Sequence, residues 1–187
     1  HLWRRWRKHA PLDEFNRVDQ IKGQASSGAL TAAEPRRQIV ADALACCPPG
    51  RWVDVDALFR FMQAEDLDPQ VARDPWKLYL LDPHYGSLGY QGYHDWTLLQ
   101  GRYVLCMLFE YAAPLGLIDL AYQDPIGARD DYHDNWGSDN LDMLSRYDGL
   151  RHIRLNGLGA YILGLSGGYR PSADPTPAAT TRLRVLP

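Results

Sequence analysis

Apolar residues recur with the period of an α-helix in three segments of the chain. The first segment begins near Pro35, which suits the first turn of a helix, and its apolar positions are Ile39, Val40, Ala43, Leu44 and Cys47. Asp54 suits the N-cap of a second helix, whose predicted buried stripe consists of Val55, Leu58, Phe59 and Met62. The third and longest helix follows Trp96 and ends near Ala113. It is apolar on nearly every side, which is typical of a buried helix.

Two shorter segments are predicted β-strands: residues 150–155 are a short alternating strand, and residues 117–122 follow a helix end and a Gly turn at Gly116. A long loop rich in Asp, Asn and Gly separates them, and we expect the two strands to pair antiparallel across it. Trp52 and Val53 predict a very short strand or an anchor. Asn156-Gly157 leads into a predicted closing helix at residues 158–165.

The segments that flank these elements differ from them in composition. Residues 1–34 predict a basic helical arm and a linker, in which Trp3 and Trp6 lie one helical turn apart. Either this arm contacts nucleic acid, or the Trp pair packs on the domain, and aromatic residues at helical spacing favour packing. Residues 35–165 are the predicted folded domain. Residues 166–187 are rich in Pro, Ala and Thr, which predicts a linker to a further domain of a longer protein.

The order helix, short strand, helix, helix, strand, long loop, strand, helix resembles the winged-helix family. Ile153-Arg154-Leu155-Asn156-Gly157-Leu158-Gly159 resembles the end of that family's second wing strand, with Asn156 where Thr is usual. The surroundings of Trp52, Gly101-Arg102-Tyr103 and Pro114-Leu115-Gly116-Leu117 also resemble bacterial proteins similar to the N-terminal, helicase-associated region of the XPB helicase. Residues 155–163 and a Thr-rich linker before a Leu-Arg-Val-Leu-Pro segment add to this likeness.

The resemblance implies an α+β fold: a winged helix-turn-helix with an extra N-terminal helix and a long acidic wing loop. It also implies a non-catalytic module of a larger bacterial protein that acts in DNA processing or defence. In a winged helix the third helix enters the major groove of DNA. The residues expected to bind nucleic acid are therefore Gln100 and Arg102 on that helix, with Arg4, Arg5, Arg7, Lys8, Arg36, Arg37, Arg151 and Arg154 elsewhere.

The charge pattern weakens this expectation, because the protein has a formal net charge of −3. In the wing loop, two arginines, Arg129 and Arg146, oppose seven aspartates: Asp124, Asp130, Asp131, Asp134, Asp139, Asp142 and Asp148. Such a loop repels phosphate. The alternative is a protein-docking module whose contact surface combines the acidic wing with exposed aromatic residues, for which the candidates are Tyr85, Tyr90, Tyr93, Tyr132 and Trp136.

Candidate chemistry changes this picture little. The chain has no GxxxxGK[ST] motif for nucleotide phosphates and no apolar run of the roughly 20 residues that span a membrane. Three cysteines (Cys46, Cys47 and Cys106) in no metal-binding spacing indicate reduced thiols and a cytoplasmic location. Residues that could bind a metal follow no established spacing, and a solvated loop is the favoured interpretation: His84, His94, Asp95, His133, Asp134, Asp139 and Asp142. We predict no catalytic residue, cofactor, metal or small-molecule substrate.

Overall fold

Five helices and a small antiparallel sheet make up the α+β fold in a computed structural model, which describes residues 2–9, 11–90 and 95–171. Four helices are α1 (Leu2–Arg7), α2 (Ala33–Ala45), α3 (Val55–Ala64) and α5 (Gly157–Ile162). Helix α4 is continuous and combines α-helical Arg102–Cys106 with wider π-helical turns at Thr97–Gly101 and Met107–Ala112. The strands are β1 (Trp52–Asp54), β2 (Ile118–Tyr122) and β3 (Leu150–Leu155). The predicted α+β class is confirmed.

Side-chain caps fix the starts of two helices. The Asp54 carboxylate accepts a hydrogen bond from the Ala57 amide at 2.8 Å, which confirms Asp54 as the N-cap of α3. Asn156 does the same for α5, accepting from the Gly159 amide at 3.0 Å. Helix α5 ends earlier than predicted because Gly164 adopts a positive φ of 81° and turns the chain.

The sheet has the order β1-β3-β2 with both pairs antiparallel. Ile118 lies opposite Leu155 and Leu120 opposite Ile153, so the predicted pairing across the long loop is confirmed. Strand β1 pairs with the other edge of β3, which settles Trp52 and Val53 as a strand. Leu150, Ile153 and Leu155 are fully buried, so β3 joins the sheet to the helical core.

The N-terminal segment packs into the same core. Trp3, Phe15, Val18 and Ile21 are buried with the apolar residues of α2 and α4. The Trp3 and Trp6 rings lie 5.0 Å apart between centroids, and Trp6 stacks on Tyr111 of α4 at 4.8 Å. The Trp pair therefore packs on the domain, as the packing interpretation predicts.

None of the helices in the described ranges is both long enough and apolar enough to cross a membrane. Most of the predicted C-terminal linker, residues 172–187, lies outside the described residues, as do Tyr93 and His94.

At Gly159, α5 packs very closely against Leu117, the residue before β2. A Cβ atom at this position would lie 2.0 Å from the Leu117 carbonyl oxygen and 2.7 Å from a methyl carbon of Leu155. Because the nearest atom is backbone, it cannot rotate away. Gly157, two residues earlier on the same helix, has room, with its nearest contact at 3.7 Å from the Tyr169 ring.

We therefore expect Gly159→Ala to lower the free energy of unfolding by about 1–3 kcal/mol through overpacking. The matched control Gly157→Ala should change it by no more than about 0.5 kcal/mol. Urea denaturation of both variants measures the difference. Equal stability of the two would show that α5 does not pack this closely on β2.

Candidate functional site

Helix α4, the helix expected to enter a DNA groove, is covered by the rest of the protein. Every residue from Gly101 to Leu108 is buried, and Gln100 is half-buried. The turn at Glu14–Arg17 covers one side, where the Cys106 thiol donates to the Glu14 carbonyl at 3.4 Å. The loop between β2 and β3 covers another side through contacts with Arg102. As placed, α4 offers no continuous exposed face to a nucleic-acid groove.

All of the hydrogen-bond donors of Arg102 bond to groups within the protein. Its Nε donates to Asp148 at 2.9 Å, and its two terminal nitrogens each donate to Asp131 at 2.6 Å. The remaining donors reach the Thr97 carbonyl at 3.1 Å and the second Asp148 oxygen at 3.3 Å. All five N–H donors are thus occupied. Burial opposes the positive charge, but the two carboxylates outweigh it and raise the pKa of Arg102.

Arg37 holds the N-terminal segment in a similar way. Its Nε donates to Glu14 at 2.7 Å, and both side chains are completely buried. One terminal nitrogen, Nη1, donates to the carbonyls of Trp6, Arg7 and His9 at 2.8–3.1 Å. Trp6 and Arg7 lie in the last turn of α1 and His9 just after it, so the guanidinium helps cap the C-terminal end of this helix, where the Trp6 carbonyl also accepts from the His9 amide at 2.9 Å.

Arg36 is buried beside Arg37. It donates to the carbonyls of Ala32 and Thr31 at 3.2 Å and forms an ion pair with Asp13, while its guanidinium lies 4.9 Å from the Tyr103 ring centre. The predicted nucleic-acid interface therefore loses Arg36, Arg37 and Arg102, because their charged groups are enclosed and paired. From the sequence, these arginines are expected at the surface, since charged side chains are rarely buried without partners and these partners are distant along the chain.

The structure groups only part of the remaining predicted interface. Arg4, Arg5 and Lys8 are exposed on or directly after α1, and the half-buried Arg7 is hydrogen-bonded to Gln38. The other two cations lie on β3 with partners of their own. Arg151 donates to the Ala128 carbonyl at 3.2 Å, and Arg154 pairs with Asp119 at 2.8 Å while lying over the Trp52 ring.

The acidic loop, defined here as residues 124–148, is a folded layer that packs on the domain. The side chains of three of its residues, Tyr132, Leu144 and Tyr147, are buried against the domain. The Tyr147 hydroxyl donates to Glu110 of α4 at 2.6 Å. Of its seven aspartates, Asp131 and Asp148 point inward to Arg102. The other five are exposed and form no ion pair with any described residue: Asp124, Asp130, Asp134, Asp139 and Asp142.

Beside this loop, exposed aromatic side chains surround an open cavity of about 350 Å³. Its walls are His84, Tyr85 and Tyr90 from one segment and Trp136 from the acidic loop. Trp76, which the sequence did not single out, packs edge-on against Tyr90 with ring centroids 4.5 Å apart. We call this group of five residues the aromatic cavity.

The aromatic cavity brings together three of the five aromatic residues predicted for a docking surface. Tyr85, Tyr90 and Trp136 are 69%, 74% and 64% exposed. Tyr132 is instead buried on the inner side of the acidic loop, where its hydroxyl donates to the Leu141 carbonyl at 2.9 Å. Alternation and spacing do not distinguish these two outcomes, because neither Tyr132 nor Trp136 has an apolar neighbour with a side chain on either side.

The described residues contain no cluster of metal ligands, and two of the three cysteines, Cys47 and Cys106, are buried. Within these ranges, no three His, Cys, Asp or Glu side chains converge as metal ligands would. The candidate ligand His84 lies 3.1 Å from Asp82, which the sequence did not suggest as a ligand. Burial raises the pKa of the Cys106 thiol far above its ordinary value and that of Cys47 to about 11, which disfavours the reactive thiolates.

Comparison of the chain with models of protein families, with curated proteins and with solved structures found no match. The support for a function therefore comes from the arrangement of residues described above.

We expect Arg102→Gln to lower the free energy of unfolding by about 3–5 kcal/mol, because it leaves the enclosed carboxylate of Asp148 without a counter-charge. The control is Arg146→Gln, which removes an exposed arginine paired with Asp19 and should cost at most about 1 kcal/mol. Urea denaturation at neutral pH compares the two. If Arg102→Gln lowers the free energy of unfolding no more than Arg146→Gln does, Arg102 does not hold the acidic loop onto α4 through Asp131 and Asp148.

Acid should weaken the ion pair between Arg102 and Asp131. Burial alone would raise the pKa of Asp131, but the hydrogen bonds and charge of Arg102 outweigh burial and hold that pKa below its ordinary value. A carboxyl group with a lowered folded-state pKa stabilises the protein above its unfolded pKa, about 3.9, and loses that contribution as the pH falls through the folded pKa. The stability difference between the parent and Asp131→Asn should therefore be constant at neutral pH and shrink below about pH 4. Denaturation measured across this range would refute the assignment if the difference stayed constant.

Proposed function

We propose that this protein is a non-catalytic docking module with a winged-helix arrangement, and that it binds a basic segment of a partner protein. The observation that carries the proposal is the exposed aromatic cavity beside aspartates that have no cationic partner among the described residues. A surface of this kind gains from contact with a partner of opposite charge.

The order of elements supports the winged-helix part of the proposal. Helix α2, strand β1, helices α3 and α4, and strands β2 and β3 follow one another as in the family that the sequence resembles. The two strands that flank the acidic loop pair directly, as the strands of a wing do. The main departure is the long segment between α3 and α4, which supplies Trp76, Tyr85 and Tyr90 to the aromatic cavity.

The placement of charges favours a protein partner over base reading in DNA. A helix reads bases by offering polar side chains from an exposed face, but the described surface of α4 offers no such face. The exposed aspartates of the acidic loop would repel the phosphate backbone on that side. The same aspartates would attract a basic protein segment and increase its association rate.

The exposed aromatic side chains supply the second component of a docking surface. Tyrosine and tryptophan are enriched among the residues that contribute most binding energy at protein interfaces. Here three of them share one cavity, and each exposes more than half of its surface. Aromatic contacts surrounded by charges match the usual anatomy of such interfaces, in which an apolar centre has a polar rim.

A second candidate function is weak binding of nucleic acid by α1. The observation that favours it is the exposure of Arg4, Arg5 and Lys8 on a helix anchored by the buried Trp3. Contacts of this type are made to phosphates, so they would be independent of sequence and strongly dependent on salt.

Two charge variants separate the candidates. The acidic-loop variant replaces Asp130, Asp134 and Asp139 by Asn, and the α1 variant replaces Arg4, Arg5 and Lys8 by Ala. We expect a lysine decapeptide to bind the parent and to bind the acidic-loop variant at least about threefold more weakly, since each exposed charge pair contributes about 0.2–1 kcal/mol. The α1 variant should bind the peptide as well as the parent does. Isothermal titration calorimetry at several salt concentrations provides the dissociation constants.

A short DNA duplex titrated under the same conditions completes the comparison. Docking predicts weaker binding of the duplex than of the peptide, with any duplex binding abolished in the α1 variant. If the parent binds the duplex more tightly than the peptide, and the acidic-loop variant leaves peptide binding unchanged, the docking function is wrong and the second candidate replaces it.

A further inference from the structure

We infer that the aromatic cavity binds an arginine side chain of the partner's basic segment. This inference rests on the docking function proposed above and assigns the chemistry of one site within it. The guanidinium would stack on the faces of Tyr85, Tyr90 and Trp136, and the neighbouring aspartates would provide the counter-charge.

The cavity is held in shape by close contacts between two distant parts of the chain. A Cβ atom on Gly86 would lie 3.1 Å from the Trp136 carbonyl oxygen, and one on Gly137 would lie 2.9 Å from the Leu81 Cβ. At Gly137 a side chain would be strained in two ways, because the backbone also adopts a positive φ of 86°, whereas at Gly86 a Cβ atom would be tight but would need only a small shift. The rings are therefore presented from fixed backbone, which reduces the ordering that a ligand must impose.

The turn that carries His84 and Tyr85 is also braced. The Asp82 carboxylate accepts hydrogen bonds from the His84 amide at 2.8 Å, and the amides of Tyr85 and Gly86 donate to the Asp82 carbonyl at 3.1 and 2.7 Å. On the other side of the cavity, Trp76 supports Tyr90 edge-on. These contacts position the aromatic side chains without covering them.

The faces of these rings are suited to a cation. The π-system of an aromatic ring is negative on its faces and attracts a guanidinium or ammonium group. Elsewhere the protein uses this attraction for its own arginines: Arg37 lies 4.8 Å from the Trp6 ring centre and Arg154 4.9 Å from that of Trp52. Among the described residues, no arginine or lysine lies over Tyr85, Tyr90 or Trp136.

The charges nearest in sequence favour a cation over an apolar side chain. Asp134 and Asp139 flank Trp136, are exposed, and form no ion pair with the described residues. An aliphatic side chain would gain nothing from these carboxylates, whereas a cation gains from both the rings and the carboxylates. Between the two cations, arginine fits better because its guanidinium is planar, stacks on rings and is less strongly hydrated than an ammonium group.

The test uses the whole chain and three short peptides that differ at one central position, which holds arginine, lysine or the uncharged arginine analogue citrulline. The flanking residues are lysines in all three peptides, so the electrostatic attraction of the acidic loop is shared. We expect the arginine peptide to bind most tightly and the citrulline peptide most weakly. Trp136→Ala should weaken binding of the arginine peptide by roughly threefold to thirtyfold and reduce the preference over citrulline.

Matched variants distinguish ring contact from general damage. Trp136→Phe keeps an aromatic face and should retain most of the affinity. Tyr161→Ala removes a ring on α5 that is 49% exposed and lies outside the cavity, and it should bind all three peptides as the parent does. Urea denaturation of each variant verifies that it is folded.

The outcomes separate this inference from the docking function. If Trp136→Ala and Tyr85→Ala bind the peptides like the parent while the acidic-loop variant loses affinity, the cavity assignment is wrong and docking stands. If the acidic-loop variant also binds like the parent, both are wrong. Equal affinity for the arginine and citrulline peptides would overturn the assignment of a cation. So would tighter binding of single-stranded DNA that is lost in Trp136→Ala, because it would make the rings a platform for bases.

Discussion

Two buried arginines hold the peripheral parts of this protein onto its helical core. Arg37 fastens the N-terminal segment through Glu14 and the carbonyls that end α1, and Arg102 fastens the acidic loop through Asp131 and Asp148. Burying a guanidinium is costly unless it is paired and hydrogen-bonded, so Arg37 and Arg102 both depend on their acceptors being in place. The position of the aromatic cavity follows from this requirement, since Trp136 lies on the loop that Arg102 holds.

These same contacts enclose α4. The N-terminal turn covers it on one side and the acidic loop on another, so the helix that the winged-helix resemblance assigns to DNA is part of the core. The outer surface then consists of the segments that cover α4, and it carries exposed cations near α1, exposed aspartates on the acidic loop and aromatic side chains beside that loop. The proposal of docking rather than groove reading rests on this division.

Local sequence patterns predicted the parts of the fold that depend on neighbouring residues. The Asp54 cap, the two strand segments β2 and β3 and the apolar character of α4 all depend on residues within a few positions, and the structure has each of them. The buried arginines depend on distant partners: Glu14 lies 23 positions from Arg37, and Asp148 lies 46 positions from Arg102. No periodicity encodes such pairs, so Arg36, Arg37 and Arg102 could not be told from surface cations. For the same reason, the sequence supplied Tyr85, Tyr90 and Trp136 but not the cavity that they form.

The pairing of Asp131 and Asp148 with one guanidinium has a consequence for which positions of this protein tolerate substitution. It closes the intervening loop without a covalent bond, and buried Tyr132, Leu144 and Tyr147 anchor the chain between the two carboxylates. Asp134, Trp136 and Asp139 lie between these anchors and contribute their side chains to the exterior. Substitutions at such exposed positions usually alter stability little. Under the proposed docking function, the residues that contact a partner could therefore be substituted on this loop while the anchors preserve the fold.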